Sequence, residues 1–482
     1  MILEKLLENI PCEVRGRTDI DITDIEFDSR KTGKGSLFFC IKGFETDGHK
    51  YAPKAVENGA ETIVTSYFME ELADVTQVIV EDGRKAMALI SANFYGNPSR
   101  KLRMIGVTGT SGKTSTTYML RSILEKAGRK VGVIGTISIV MGDRVIPSEH
   151  TTPESKDLQK ILADMVDEGI QDVVMEVSSH SLYLDRVYGI EFDGSIYTNL
   201  SQDHLDFHKD FEHYFLAKSI LFRNTRKAVI NTDDSYGQRM YDLCTGEKCT
   251  FALERDADYR AEEVVYGVEG STFTLRAPDG ERKIELAIPG RFMVYNALGA
   301  AAITEMLGTD LDAIKEGLEA VKNVPGRVEQ LDSRKHGYKV VLDYCHKPEA
   351  LKDVLEMIKG YAKGDVICIF GCGGNRDREK RPIMGRIAED NSDFVVVTSD
   401  NPRFEEPMAI IDEIVAGMEK SNHMVIEDRR EAIRYALTHA RKDDVILLAG
   451  KGHEDYQEIK GVHYPFDEKV VVRELLDEID KQ

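Results

Sequence analysis

At 482 residues, with 42% hydrophobic and 30% charged positions, the chain has the balance of a globular protein of two to four domains, and a mainly disordered chain is excluded. The net charge of −21 argues against a nucleic-acid partner, while leaving room for a local basic pocket around a small anion. No apolar run approaches the ~20 residues that span a bilayer, so no membrane insertion is expected, and the acidic start MILEKLLENI does not read as a secretory signal.

The seven cysteines (Cys12, Cys40, Cys244, Cys249, Cys345, Cys368, Cys372) are odd in number and show no CxxC pair, which fits a reduced, cytoplasmic setting. Cys244 and Cys249 lack a second pair and read as ordinary thiols. Two polar stretches with Gly and Pro, at 96–101 and 323–327, look like boundaries. They divide the chain into 1–98, 99–325 and 326–482.

The middle segment opens with the apolar run 102–107, a Gly-rich turn and a helical stretch from Lys113 to Ala127. Runs 172–177 and 194–198 read as further buried strands, so an α/β fold with a mostly parallel central sheet is expected. The turn reads Gly106-Val-Thr-Gly109-Thr110-Ser111-Gly112-Lys113-Thr114-Ser115. Such glycines let backbone N–H groups curl around phosphate oxygens, with Lys113 reaching the outer phosphates and Thr114 placing a hydroxyl on Mg²⁺. The strict GxxxxGK[ST] spacing fails because residue 107 is Val, yet a nucleotide loop remains the better reading than a structural turn. By itself it does not separate motor, kinase, GTPase and ligase.

Glu176 closes its strand beside this loop, well placed for Mg²⁺. The stretch from Asn199 gathers Asp203, His204, Asp206 and His208, and Leu205 rules out the HExxH of a zinc protease. Lys218 lies inside an apolar helical stretch, 214–222, either snorkelling or buried and open to modification. The last segment repeats one arrangement: runs 340–342, 366–370, 394–398 and 445–448 each lead into a polar loop, and ligands bind at the carboxyl ends of such strands.

Together these pieces resemble the Mur ligases, ATP-dependent amino-acid ligases of peptidoglycan precursor synthesis, over nearly the whole chain. The motifs are DSR at 28–30, DGH at 47–49, GTSGKT at 109–114, TTP at 151–153, EVSSH at 176–180, Asp203-His204 to His208, Ala217-Lys218, YNA at 295–297, PGR at 325–327, DYCHKPEAL at 343–351, GCGGNRDREKRP at 371–382, DNPR at 400–403 and GKGHE at 450–454. Within the family the chain is most similar to the members (the MurE type) that add the third peptide residue to UDP-N-acetylmuramoyl-L-Ala-D-Glu.

The resemblance implies three domains: a UDP-binding α/β domain, a P-loop ATPase domain and a Rossmann-like amino-acid-binding domain. It implies that Gly109 to Ser115, Asn296, Arg327, Asp343 and His346 bind ATP, and that Thr114, Glu176, His208 and Lys218, as a CO₂-derived carbamate, serve the metal region. Lys113, Lys218 and His204 would be catalytic. Ser29, His49, Thr151, Thr152, Ser178 and Arg186 would hold the UDP-N-acetylmuramoyl dipeptide. Arg376, Asp400, Asn401, Arg403, Gly450 and Glu454 would hold the incoming amino acid. The DNPR motif resembles that of members adding meso-diaminopimelate, whose second carboxylate Arg403 could meet as a bidentate pair; members adding L-lysine usually lack that Arg.

The implied chemistry converts a carboxylate to an acyl phosphate, which an amine then attacks. Ser111, Leu184, Gln202, Met293, Cys345 and Lys347 depart from the family pattern without removing an expected phosphate, metal or diaminopimelate group. Alternatives are L-lysine or another diamine as substrate, a folylpolyglutamate-type ligase, and a divergent or non-catalytic paralogue. The DSR and DGH motifs argue against the folylpolyglutamate type, and Lys113, Glu176 and Lys218 against a non-catalytic chain. A monomer is the default expectation.

Overall fold

The computed structural model describes residues 1–43, 46–267, 269–333 and 335–481, leaving aside the side chains of 205 and 206. Three separate main sheets carry the chain, each built largely from parallel strands.

In the first, the strands run Glu13–Arg15, Thr76–Ile79, Ala60–Thr65, Ser36–Phe39 and Asp24–Glu26 across the sheet, with only the Glu13–Arg15 edge antiparallel. Side chains alternate across a strand. Leu37 and Phe39 therefore enter one apolar cluster with Ile25, Val78 and Ile90, and Phe38 enters another with Ala55 and Ile63.

The central sheet has eleven strands. Seven neighbours are parallel: Tyr259–Gly267, Glu247–Ala252, Thr225–Asn231, Phe192–Tyr197, Arg103–Thr108, Asp172–Glu176 and Val131–Ile134. Antiparallel ribbons extend both edges. Helices Lys113–Lys126, Arg291–Met306 and Leu311–Ala320 cover one face through Ile105, Val107, Leu120, Ile123 and Ile314; Met104, Val173, Met175 and Phe192 pack on the other.

The third sheet runs Glu329–Leu331, Lys339–Asp343, Val445–Ala449, Val366–Phe370, Phe394–Val397 and His423–Val425, antiparallel only at its first edge. One continuous apolar cluster joins the helical face of the central sheet to Val341, Leu351, Leu355 and Phe370 of this unit. The first unit is tied to the centre by the largely buried Lys156–Glu26 ion pair at 2.7 Å.

The strands expected from the apolar runs are present, with shifts of a residue or two at their ends. The strand expected to begin at Gly194 begins at Phe192, which already pairs with Thr225 of the neighbouring parallel strand; Asp193 accepts the Met104 N–H at 2.9 Å. The stretch 214–222 divides into an α-helix, Phe211–Ser219, and a 3₁₀ turn, Ile220–Arg223. All seven cysteines are free. Among the described residues, no helix is long and apolar enough to cross a membrane.

Candidate active site

The strand Arg103–Thr108 lies between Asp172–Glu176 and Phe192–Tyr197, so its carboxyl end delivers residues 109–112 to the middle of the sheet. Neighbouring loops clamp this turn: the Thr110 N–H donates to Asn199 O and the Ser111 N–H to Asn199 Oδ1, both at 2.9 Å, and Thr198 Oγ1 donates to Ser111 O at 2.7 Å. Gly109 has φ +154°, and a Cβ there would stand 1.8 Å from Thr198 Oγ1. Gly112 has φ +88°, and its Cβ would stand 2.4 Å from Asn296 Oδ1. Only glycine fits both the conformation and the space. Gly112 then caps helix Lys113–Lys126, whose positive end faces the turn.

A cleft of about 830 Å³ opens over the turn, with Glu176, Asn296, Arg327 and residues 343–347 among its lining. Lys113 Nζ donates to Gly109 O at 2.9 Å and Thr110 O at 3.1 Å. Burial, and then the nearby Lys347, bring its pKa down to about 8. Glu176 is buried; its Oε1 accepts from Thr114 Oγ1 at 3.0 Å and from the Thr136 N–H at 2.9 Å. This hydroxyl–carboxylate pair offers hard oxygens suited to Mg²⁺, which usually takes one or two carboxylates and completes its shell with phosphates and water.

Of the four metal-region residues read from the sequence, the structure joins Thr114 and Glu176 directly. His208 and Lys218 lie behind the turn. His208 is buried with Nε2 2.9 Å from Ser179 Oγ, and burial, followed by His180 and Lys218, lowers its pKa to about 4. Lys218 is 1% exposed and donates to Gly109 O at 2.9 Å. Burial, then Lys113 and Lys347, hold its pKa well below that of a free lysine. His204 borders the cleft with φ +53°, its Nε2 2.9 Å from Asp203 Oδ2. The side chain of Asp206 lies outside the described residues. Among those residues, no group of three His, Cys, Asp or Glu is arranged to hold a metal.

Residues 326–346 close the far side. Arg327 stacks 4.8 Å over the Tyr344 ring and reaches Thr114 Oγ1 at 3.4 Å. Asp343 accepts the Val328 N–H at 2.7 Å. Burial raises the Asp343 pKa against the pull of Arg327. His346 Nδ1 sits 2.8 Å from Tyr344 O, and burial, with Lys380 and Lys347, keeps the ring uncharged at neutral pH.

The residues expected to hold the dipeptide separate into three places. Thr151 and Ser178 line the cleft. Thr152 and Arg186 stand behind: Thr152 Oγ1 donates to Glu176 O at 2.8 Å, and Arg186 bonds Thr152 O at 2.9 Å and pairs with Glu154 at 2.7 Å. Ser29 and His49 belong to the first unit and do not line the cleft. There the Ser29 carbonyl accepts from Thr32 and Asn58, both at 2.8 Å, and His49 stacks on Tyr67 and pairs with Asp47.

The four C-terminal loops meet, as the strand pattern predicts, because their strands are neighbours. Asn401 Nδ2 donates to Glu454 at 2.9 Å, and Gly450 N donates to Asp343 O at 3.0 Å. Gly450, with φ +114°, brings its backbone beside Asp400. Arg403 pairs with Glu458 at 2.8 Å and donates to Gly374 O at 2.9 Å. Arg376 is exposed and bonds only its neighbour's carbonyl, Asn375 O, at 3.1 Å among the contacts described. Tyr344 links this cluster to the cleft, with its hydroxyl 3.3 Å from Glu454 Oε1.

Sequence reasoning missed Thr136, Glu458 and Lys451, and named Asp203, Tyr344 and Lys347 without giving them a place in the site. Thr136 is hidden in an apolar run and carries no local signal. Lys451 is fully buried, with Nζ on Asn401 Oδ1 at 3.0 Å, and its place inside GKGHE was the available clue.

Family models match in three consecutive blocks: "Mur ligase family, catalytic domain" at 21–95, "Mur ligase middle domain" at 107–304 and "Mur ligase, glutamate ligase domain" at 326–452. The chain is 48% identical to the UDP-N-acetylmuramoyl-L-alanyl-D-glutamate–2,6-diaminopimelate ligase of Clostridium botulinum, covering 99% of this chain and 100% of that protein. It is 49% identical to the protein of the same name in Caldanaerobacter subterraneus subsp. tengcongensis, over 100% of both. A solved structure of a ligase with that name superimposes with a TM-score of 0.72 at 31% identity, over 100% of this chain and 99% of that one.

Proposed function

The chain belongs to the Mur ligase family, and from that premise we propose that it joins meso-diaminopimelate to UDP-N-acetylmuramoyl-L-Ala-D-Glu at the expense of ATP, in peptidoglycan precursor synthesis. The observation that carries the reading is convergence on one cleft. The phosphate turn and the Thr114–Glu176 pair line it, and Tyr344, which lines it too, bonds Glu454 of the neighbouring Asn401–Glu454 pair, which does not line the cleft. The full-length likeness to named diaminopimelate ligases supports the choice of amino acid.

In this reading the N–H groups of residues 110–114 and the Lys113 ammonium hold the phosphate chain, while Arg327 and Asn296 border the nucleotide. Thr114 and Glu176 would hold Mg²⁺, which neutralises phosphate charge when bound. The dipeptide carboxylate attacks the γ-phosphorus in line, ADP departs, and Lys113 together with the turn stabilises the charge that develops. The diaminopimelate amine then attacks the acyl phosphate, expelling phosphate and losing a proton. Thr151 and Ser178 would orient the dipeptide; Asp400, Asn401 and Glu454 would orient the amine-bearing end of the amino acid, and Arg403 its distal carboxylate. Ser29 and His49 would bind the uridine end in the first unit, away from the cleft.

The same proposal includes a carbamate on Lys218. A buried lysine with a depressed pKa presents the neutral amine that attacks CO₂, losing a proton as the N–C bond forms. It also includes domains at 1–98, 99–325 and 326–482, a cytoplasmic location and a monomer.

The test is phosphate release with ATP, Mg²⁺ and the UDP-dipeptide, adding meso-diaminopimelate, L-lysine or neither, with product mass as the second readout. A UDP-tripeptide formed only with diaminopimelate is expected. Product with lysine alone would overturn the amino-acid assignment, and no product with either would overturn the ligase reading.

A further inference from the structure

The departure at residue 347 puts a cation where two units meet. Lys347 leaves the C-terminal strand Lys339–Asp343 and stands at the N-cap of helix Pro348–Tyr361. A positive charge opposes the helix dipole there, so its position needs a compensating partner. Its Nζ crosses to the central unit, 2.6 Å from Asp203 Oδ2 and 3.2 Å from Thr110 O of the phosphate turn. Its side chain is 13% exposed and lines the cleft.

Three lysine side chains thus gather on two adjacent carbonyls. Lys113 and Lys218 both bond Gly109 O, and Lys113 and Lys347 both bond Thr110 O. Arg327 adds a guanidinium beside Thr114. With Lys218 left out of the count, the three cations Lys113, Lys347 and Arg327 face the two carboxylates Glu176 and Asp203. Such a surplus suits a polyanion, and Lys347 is the lysine that the opposite unit contributes.

We propose that Lys347 is a second phosphate-binding lysine: on nucleotide binding its ammonium exchanges Asp203 and Thr110 O for the terminal phosphate oxygens of ATP, so that the C-terminal unit reads the phosphate chain directly. The inference rests on the ATP-dependent reading given above, and deepens it. Asp203 is then the resting partner of Lys347.

The test is calorimetric titration of the full chain with Mg·ATP and, separately, with adenosine, which lacks phosphates. No UDP-dipeptide or diaminopimelate is present, so a failed ligation assay leaves the result readable, and the converse holds. Loss of a charge-assisted hydrogen bond corresponds to a change of about 10- to 150-fold. Lys347→Met is expected to weaken Mg·ATP by that range and leave adenosine unchanged, while Lys347→Arg retains binding within about threefold of the original, since it keeps the charge. Asp203→Asn is expected to keep or raise Mg·ATP affinity, because it releases Lys347 from a competing partner. Equal weakening of both ligands in Lys347→Met, or a fall in Mg·ATP affinity in Asp203→Asn, would make Lys347 a latch between units and overturn the proposal. An unchanged Mg·ATP affinity in Lys347→Met would overturn it too. Should Lys347→Met not fold, Asp203→Asn decides the matter alone.

Discussion

Replacing Arg403 tests the amino-acid assignment most directly, and the structure sets the expected size of the effect. Arg403 is held on two sides: Nε pairs with Glu458 at 2.8 Å and Nη1 donates to Gly374 O at 2.9 Å. Its backbone is fastened as well, with the Arg403 N–H on Glu458 O at 3.0 Å and the Lys460 N–H on Arg403 O at 2.7 Å. The guanidinium is therefore pre-oriented, and little side-chain entropy is lost when it meets a carboxylate. A charge-assisted hydrogen bond contributes about 1.5 to 3 kcal/mol, so Arg403→Ala should raise the diaminopimelate KM by about 10- to 150-fold, with the KM for ATP unchanged.

Glu458 modifies this expectation in a specific way. When lysine binds, Arg403 still has Glu458 as a partner, so no buried charge is stranded and rejection of lysine is weakened. Glu458→Gln should widen the preference for diaminopimelate over lysine, because Arg403 then depends on the substrate for its counter-charge. The assay is steady-state phosphate release with both amino acids on the parent chain, each single variant and the double variant. An unchanged diaminopimelate KM in Arg403→Ala would refute the assignment, and a narrowed preference in Glu458→Gln would refute the role given to the ion pair.

Two further outcomes are expected. Lys218→Ala should lose most ligase activity and regain part of it when a short carboxylic acid is added, since the acid returns a carboxylate to the place of the carbamate; full activity without the acid would contradict the role. Lys113 has its pKa lowered to about 8 by burial and the nearby Lys347, and a bound polyanion favours the ammonium form and raises that value. Nucleotide binding at pH 8 should accordingly take up about half a proton at this group and weaken as pH rises further, whereas at pH 6 the ammonium is already formed. Binding heats in buffers of different ionisation enthalpy measure the uptake, and an uptake that is the same at pH 6 and pH 8 would exclude the Lys113 assignment.

Much of this protein is determined locally. The glycines at 109 and 112 are demanded by a turn whose backbone angles and space admit no Cβ, so the phosphate loop is legible in six residues. Buried parallel strands must be apolar on both faces, so runs such as 366–370 and 445–448 declare themselves, as do the polar loops at their ends.

Other features depend on which distant segments meet, and no local pattern carries them. The antiparallel ribbons at the edges of the central sheet alternate between core and solvent, as Gly270–Ala277 does, but that alternation does not say which strand they extend. Thr136 serves Glu176 across 40 residues, Glu458 engages Arg403 from a hairpin, and Lys347 reaches Asp203 from another unit. Ser29 and His49 carried the same family signal as Thr151 and Ser178, yet only the latter two line the cleft. The difference has one physical source. Backbone conformation and burial are imposed on each residue by its own neighbourhood and leave a pattern in sequence. A charge partner is chosen by proximity in space, and proximity exists only after the three sheets have packed.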